Sequence, residues 1–215
     1  MFQGLASRLM AVTAALGILA SPAAAQEPLT LGFASAFSKT HWLWTQGGAV
    51  FAKAVEDGTG GKVRFLLFPG GQLGKETVGI ISTGLAASGI LVPSYEPAKL
   101  PLTSVAELPG FHASACEGTA KAWHLMQEGG AVYEAELKPL GLMPLYVNVL
   151  TPYQLVTTRK TVATLQDVAG LKLRANGAAM DGTARAIGSV PVMVSSTEFY
   201  DALTRGTIDG GAFTQ

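Results

Sequence analysis

The chain has 215 residues, 48% hydrophobic and 14% charged, which suits a packed globular protein of one or two domains and excludes a disordered chain. Lysine plus arginine equals aspartate plus glutamate at 15 each, so nothing in the charge balance favours nucleic acid or an anionic membrane surface as a partner. A single cysteine, Cys116, excludes an internal disulfide and leaves the fold to rest on its apolar core.

Arg8 and the amino terminus precede an apolar run at 9–20, too short to cross a bilayer as a helix of about 20 residues. Ala23 and Ala25 then make an A-x-A cleavage signal. Residues 1–25 are predicted to be a secretory signal peptide, with Gln26 as the mature start and no stable membrane insertion of the mature chain. The expected location is periplasmic.

LTLGFAS (29–35) predicts a first strand, and a helix follows over 41–55. After the turn cluster GTGGK, VRFLLF (63–68) predicts a second strand, apolar enough to be buried on both faces. PGGQLG leads into a helix over 75–82, and GILV (89–92) gives a third strand. This βαβαβ order implies a doubly wound parallel sheet. PGGQLGKE is no phosphate loop, since that pattern requires Gly at Pro69 and Ser or Thr at Glu76. A proline-rich connection (93–111) precedes helices at 113–127 and 131–137, and Cys116 is expected to pack in the first as a small hydrophobe. GLMPLYVNVL (141–150) predicts a long strand passing between domains, and YQLVTT (153–158) opens the second domain.

Beyond Thr164 strands and helices again alternate. A helical turn at 165–169 closes at Gly170, and LKLRA (171–175) alternates with Lys172 and Arg174 on one face and Leu171 and Leu173 on the other. A helix over 178–187, an extended run at 191–194, a helix containing EFYDAL capped by Ser196 or Thr197, and a strand at 207–209 complete the series. Parallel strands in such units present ligands at their carboxyl ends, where Arg174 lies. Its planar fork of donors matches a carboxylate and keeps its charge when partly buried.

The blocks D-x-x-G-L-K-x-R (167–174), I-G-S-V-P-V (187–192) and E-F-Y-D-A-L-x-R-G-x-I-D-G (198–210), with G-G-K-V-x-x-x-x-F-P-G-G-Q-L-G upstream (60–74), resemble the solute-binding proteins of TRAP transporters, the DctP type. The resemblance implies an α/β, two-lobed fold of the type II periplasmic binding proteins, incomplete at the C-terminus. Lobe I would span 26–147, and 148–215 would hold a partial lobe II with the start of the return hinge strand. It further implies binding without turnover: a small organic acid is captured and delivered to TRAP membrane permease subunits, with no cofactor. Arg174, closing G-L-K-x-R, is the position of the family's carboxylate clamp.

Many members place a second anchor near the position of Tyr153, where this chain has no arginine, so a sialic-acid-like pattern is not expected. Phe37, Ser38, His41 and Trp42 after the first strand, and Ser94 and Tyr95 after the third, would form the opposite wall. Asn148 on the inter-domain strand and Phe213 beyond the last strand would complete a cleft of aromatic walls with a few aimed polar groups. Two rival readings compete. His112 and Cys116, four residues apart and on one helical face, could serve a periplasmic enzyme, though neither an orienting group nor an oxyanion hole is visible. The chain could also be an incomplete receptor unable to hold ligand.

Overall fold

The computed structural model describes residues 27–214. The expected signal peptide and its cleavage site lie outside them. The first sheet contains β1 (Leu29–Ser35), β2 (Val63–Phe68) and β3 (Ser88–Ile90), in the order β2–β1–β3 with all strands parallel. α1 (Ala49–Gly58) joins β1 to β2 and α2 (Thr77–Ser82) joins β2 to β3. The sheet holds together on aromatic contacts: Phe33 of β1 meets Trp44 and Phe65 edge-on, with centroids 5.6 and 5.7 Å apart. Trp44–Gly48, just before α1, is wound as a π-helical turn with Ala49 N bonded to Trp44 O. Gly48 permits it, because a Cβ there would lie 3.1 Å from the Trp44 ring and from Ile90 Cδ1. β2 differs from its expected burial. It is the sheet's edge, so its residues alternate between half-buried and exposed, and Leu66 is 55% exposed.

The connection between the sheets contains two short 3-10 turns, Pro93–Tyr95 and Thr103–Glu107, then α3 (Ala115–Met126) and a π-helical turn at Tyr133–Leu137. Leu100, Ala122, Met126, Val132, Tyr133, Leu137 and Leu142 pack with Val78 of α2 into the largest apolar cluster. Buried Glu136 serves that cluster by accepting from Leu102 N, Thr103 N and the Thr103 hydroxyl. The strand expected at 141–150 does not form. Among the described residues no neighbouring strand shares a ladder with it, and Val149 N instead donates to Thr119 Oγ1 on α3 at 3.0 Å.

The second sheet is mixed. It contains β4 (Gln154–Thr157), β5 (Lys172–Ala175), β6 (Val190–Met193) and β7 (Gly210–Phe213) in the order β4–β7–β5–β6. β5 runs parallel to both its neighbours, and β4 runs antiparallel to β7. α4 (Leu165–Val168) precedes β5 and is closed by a capping box between Thr164 and Asp167. α5 (Gly177–Ala186) and α6 (Phe199–Thr204) follow β5 and β6. The last strand starts at Gly210 rather than at 207–209. A Cβ at Gly210 would stand 2.3 Å from Val156 O, and one at Gly211 would stand 2.6 Å from Arg174 Cβ, so the close ladder begins where side chains vanish. Neither expected cap serves α6. The Ser196 N–H and hydroxyl turn to Tyr95, and Ser195 Oγ donates to Glu198, the residue that opens the helix without a side-chain cap.

Candidate functional site

β5 is central in its sheet, so its carboxyl end is covered on both faces. Lys172 is exposed, but Leu173, Arg174 and Ala175 are all buried. Arg174 is only 3% exposed. Its Nε donates to Val194 O at 2.9 Å and its Nη1 to Ala212 O at 3.2 Å. With its amide oxygen toward the guanidinium, Asn176 accepts from Nη2 and donates to the Val194 and Ala175 carbonyls. The guanidinium carbon lies 5.6 Å from the Phe199 ring centre and 5.4 Å from that of Phe213. Those two rings stack nearly parallel, 5° apart with centres separated by 5.0 Å, and Tyr153 stacks on Phe213 in turn. Desolvation lowers the Arg174 pKa, and the Tyr153 and Tyr95 hydroxyls work against that shift. No salt bridge among the described residues includes Arg174. It is a buried cation held by carbonyls, an amide and aromatic faces.

The residues facing it come from the connection after β3. Ser94 is buried against the start of α5, where Gly177 has a positive φ of 70° and a Cβ would lie 3.0 Å from Ser94 Cα. Tyr95 Oη shares a 2.8 Å hydrogen bond with Ser196 Oγ and accepts from Ser196 N at 3.1 Å. Ser94 N donates to Glu107 Oε1 at 3.2 Å. Burial raises the Glu107 pKa, opposed by Ser94 and by the Arg174 charge. Tyr153 is 41% exposed overall and stacks on Phe213, and desolvation raises its pKa while Arg174 pulls it down. Lys75 Nζ and Glu198 Oε1, at 3.3 Å, add an exposed bridge between the halves.

Four of the expected residues therefore converge: Arg174, Tyr95, Tyr153 and Phe213, with Ser94 joined through Glu107. The others do not. His41 stacks on buried Phe37 with ring centres 4.5 Å apart, and its Nδ1 accepts from Leu43 N at 3.2 Å. That bond turns the chain into the helix, and burial lowers the His41 pKa. Ser38 pairs with Thr40, Trp42 stacks on His41 at 42% exposure, and Asn148 is exposed in the irregular segment. No hydrogen bond, ion pair or ring contact among the described residues links His41, Trp42 or Asn148 to Arg174. Three neighbours of the guanidinium escaped the sequence reading: Asn176, Phe199 and Glu107. Phe199 stood inside the E-F-Y-D block, and Glu107 was a lone acid in the apolar run V-A-E-L-P; either fact could have flagged them.

The Cys116–His112 pair is not assembled as expected. Ser114 caps α3 by accepting from Glu117 N while Glu117 accepts from Ala113 N, so the helix begins after His112 and the two residues share no helical face. Cys116 is exposed rather than packed. His112 lies against Gly118 and Val149 with its Nδ1 buried and unpaired.

Residues 33–213 match the model of the DctP family, bacterial extracellular solute-binding proteins of family 7. The chain belongs to this family. DctP proteins are solute-binding proteins of transport rather than enzymes. The C4-dicarboxylate-binding periplasmic protein DctP of Rhodobacter capsulatus is 26% identical over 201 residues, 91% of this chain and 59% of that relative. A TRAP periplasmic solute-binding protein from Bordetella bronchiseptica, crystallised with (R)- and (S)-mandelate, superposes with a TM-score of 0.77 at 26% identity, over 86% of this chain and 58% of that one. A marine-metagenome TRAP solute-binding protein specific for pyroglutamate, in complex with that ligand, gives a TM-score of 0.73 at 27% identity, over 86% of this chain and 60% of that one. The chain thus spans about three fifths of the length of these DctP-type relatives. The expected α/β fold class agrees with theirs. Among the described residues no helix is long and apolar enough to cross a membrane.

Proposed function

We propose that this protein is an extracytoplasmic receptor that binds a small organic acid through Arg174 and delivers it to the membrane subunits of a TRAP transporter. One observation carries the reading: a buried arginine at the carboxyl end of β5 is backed by two stacked phenylalanines and, among the described residues, is paired with no carboxylate. A ligand carboxylate would engage the guanidinium, and Phe213 and Tyr153 would flank its body. Residues 26–147 and 148–215 form the two lobes in this proposal, parting to admit the acid and closing over it, so that binding shifts the balance between the two states. The ligands named for the relatives, mandelate, pyroglutamate and C4-dicarboxylates, are all small acids and support the substrate class. Export to the periplasm is part of the same proposal.

Thermal unfolding with a panel of mandelate, benzoate, pyroglutamate, succinate and galacturonate tests it. A true ligand at a hundredfold excess over its Kd adds about 2.7 kcal/mol of stability. Arg174→Ala should abolish that gain, with a loss of roughly 2 kcal/mol or more in binding free energy. A ligand whose effect survives Arg174→Ala would move the site elsewhere. A cooperative transition that no acid shifts would remove the organic-acid reading.

A further inference from the structure

Asn176 sits at the boundary where β5 passes into α5, 4% exposed, with extended backbone at φ −117° and ψ 124°. Asparagine at such a place ordinarily caps the helix by accepting a backbone N–H, as Ser114 does for α3. The Asn176 side chain caps nothing. It turns inward instead. Its oxygen accepts from Arg174 Nη2, and its nitrogen donates to Val194 O at 2.5 Å and to Ala175 O at 3.3 Å. Val194 O also accepts from Arg174 Nε at 2.9 Å, so amide, carbonyl and guanidinium close a ring of hydrogen bonds along one edge of the cation. Ala212 O takes Nη1 at 3.2 Å. Each guanidinium nitrogen thus has a partner, and the plane of the fork is fixed.

All of these partners are neutral, and no salt bridge among the described residues includes Arg174. Among them Asn176 is the one side chain that holds the guanidinium by a hydrogen bond within a residue or two of it in the chain. An aspartate of the same size would take Nη2 as a charge-assisted pair. It would also cancel the cation, and when ionised it could donate nothing to the two carbonyls. The amide does both structural jobs and leaves the charge in place. We propose that Asn176 is a positioning residue of the Arg174 site, setting the plane of the guanidinium with a neutral acceptor so that its charge stays available to the carboxylate of a bound acid. The inference rests on the receptor reading and adds a requirement to it: two places after the arginine the site needs an uncharged side chain that both accepts and donates. A fork already held in plane loses less freedom when a carboxylate docks on it.

Isothermal titration of the full-length protein with mandelate, pyroglutamate and succinate, well below its melting transition, tests this in Asn176→Ser and Asn176→Asp. A side chain that only supported the fold would change the melting temperature and leave the affinity of the folded protein alone. As a positioning residue, Asn176→Ser should weaken the tightest of the three acids by about tenfold, through loss of the fixed fork. Asn176→Asp should weaken it by roughly a hundredfold or more, because the new carboxylate stands beside the ligand's own. The excess loss in the aspartate variant reads the charge, and the loss in the serine variant reads the orientation. Binding within about threefold of the wild type in either folded variant overturns the inference, as do equal losses in the two. If the aspartate variant does not melt cooperatively, Asn176→Ser decides by the same threefold criterion. Arg174→Ala separates the two levels. If it abolishes binding while the Asn176 variants bind as the wild type does, only the Asn176 assignment fails. If it leaves binding intact, or if the folded wild type binds none of the three acids, the receptor site itself is wrongly placed and this inference falls with it.

Discussion

Arg174, the ligand group proposed above, is also a structural support. Its Nε and Nη1 hold the Val194 and Ala212 carbonyls, which belong to the chain just beyond β6 and to β7. Truncation would leave the Ala212 carbonyl and the Asn176 amide oxygen without the guanidinium, while Val194 O keeps its Asn176 donor, at about 1–3 kcal/mol for a buried group left unsatisfied. Arg174→Ala should therefore lower stability by about 2 kcal/mol in urea unfolding, quite apart from its effect on binding. Arg174→Lys should recover part of the stability and little of the binding, because an ammonium restores charge but not the planar fork. Equal ligand affinity in the lysine variant would argue against a bidentate contact.

Glu107 gives a second expectation at the same scale. Its carboxyl pKa is raised in the folded protein, with burial the leading cause and Ser94 and Arg174 opposing it. The folded state then holds a proton that the unfolded state has released in the window just above the ordinary carboxyl value of 4.5. Stability from this group must fall as pH rises through that window. Glu107→Gln should flatten this part of the pH–stability profile and stabilise the protein at neutral pH. Asp167 runs the other way, since its capping-box hydrogen bonds lower its pKa, and its contribution is lost as pH falls. Denaturant titrations from about pH 2 to 7, comparing the wild type with Glu107→Gln and Asp167→Asn, would separate the opposing slopes. A wild-type slope unchanged in Glu107→Gln would show that the group is not desolvated.

At the scale of elements, β7 carries the clearest constraint. Its first two residues are glycines because β4 and β5 approach from both sides: a Cβ at Gly211 would meet Arg174 Cβ at 2.6 Å and the Phe199 ring at 3.0 Å. Gly211→Val should cost about 1–3 kcal/mol through overpacking and should also displace Arg174, so melting temperature and ligand binding fall together. Loss of stability with binding intact would mean that β7 and the site relax independently. The same strand shows what could be read from sequence. L-K-L-R-A declared β5 by its alternation, and the glycines between strands and helices marked the turns. The Gly-Gly of β7 fell just past the strand expected at 207–209, because nothing local reveals that two neighbouring strands crowd it. The run G-L-M-P-L-Y-V-N-V-L had a strand's composition without a partner strand, and an extended segment becomes a strand only when a neighbour supplies its ladder. Burial was misjudged at β2 for a related reason, since whether an apolar strand sits at a sheet's edge is a property of the topology. Arg174 was legible from its motif. Glu107 was not, because the connection after β3 meets α5 only through the tertiary fold; Asn176, two residues beyond Arg174, belonged to no motif that would have singled it out.

At the scale of the whole molecule, the connection after β3 packs its two 3-10 turns on α5 of the second sheet, with polar links from Tyr95 to Ser196 and from exposed Lys75 to Glu198 and with Ser94 against Gly177. The exposed ion pair contributes little in solvent. The tyrosine contact matters more, because its hydroxyl both bridges the halves and acts on Arg174. Arg174 is 3% exposed, so in the proposed receptor neighbouring groups must move before an acid reaches the guanidinium. Tyr95→Phe removes the bridging hydroxyl while keeping the ring, and a hydrogen bond of this kind contributes about 0.5–1.5 kcal/mol. If parting of the halves limits entry, that loss should appear as a twofold to tenfold faster association, about the same free energy expressed as a rate. The ligand-free variant should also show a larger radius of gyration by X-ray scattering. Serine 196 offers an independent check, because Ser196→Ala removes the partner hydroxyl but leaves the backbone N–H bond to Tyr95, and so should give a smaller acceleration. An unchanged association rate in Tyr95→Phe, measured by stopped flow with the strongest acid from the panel, would mean that ligand reaches Arg174 without breaking this contact. The entry path would then have to run past Tyr153, the partly exposed side of the cluster.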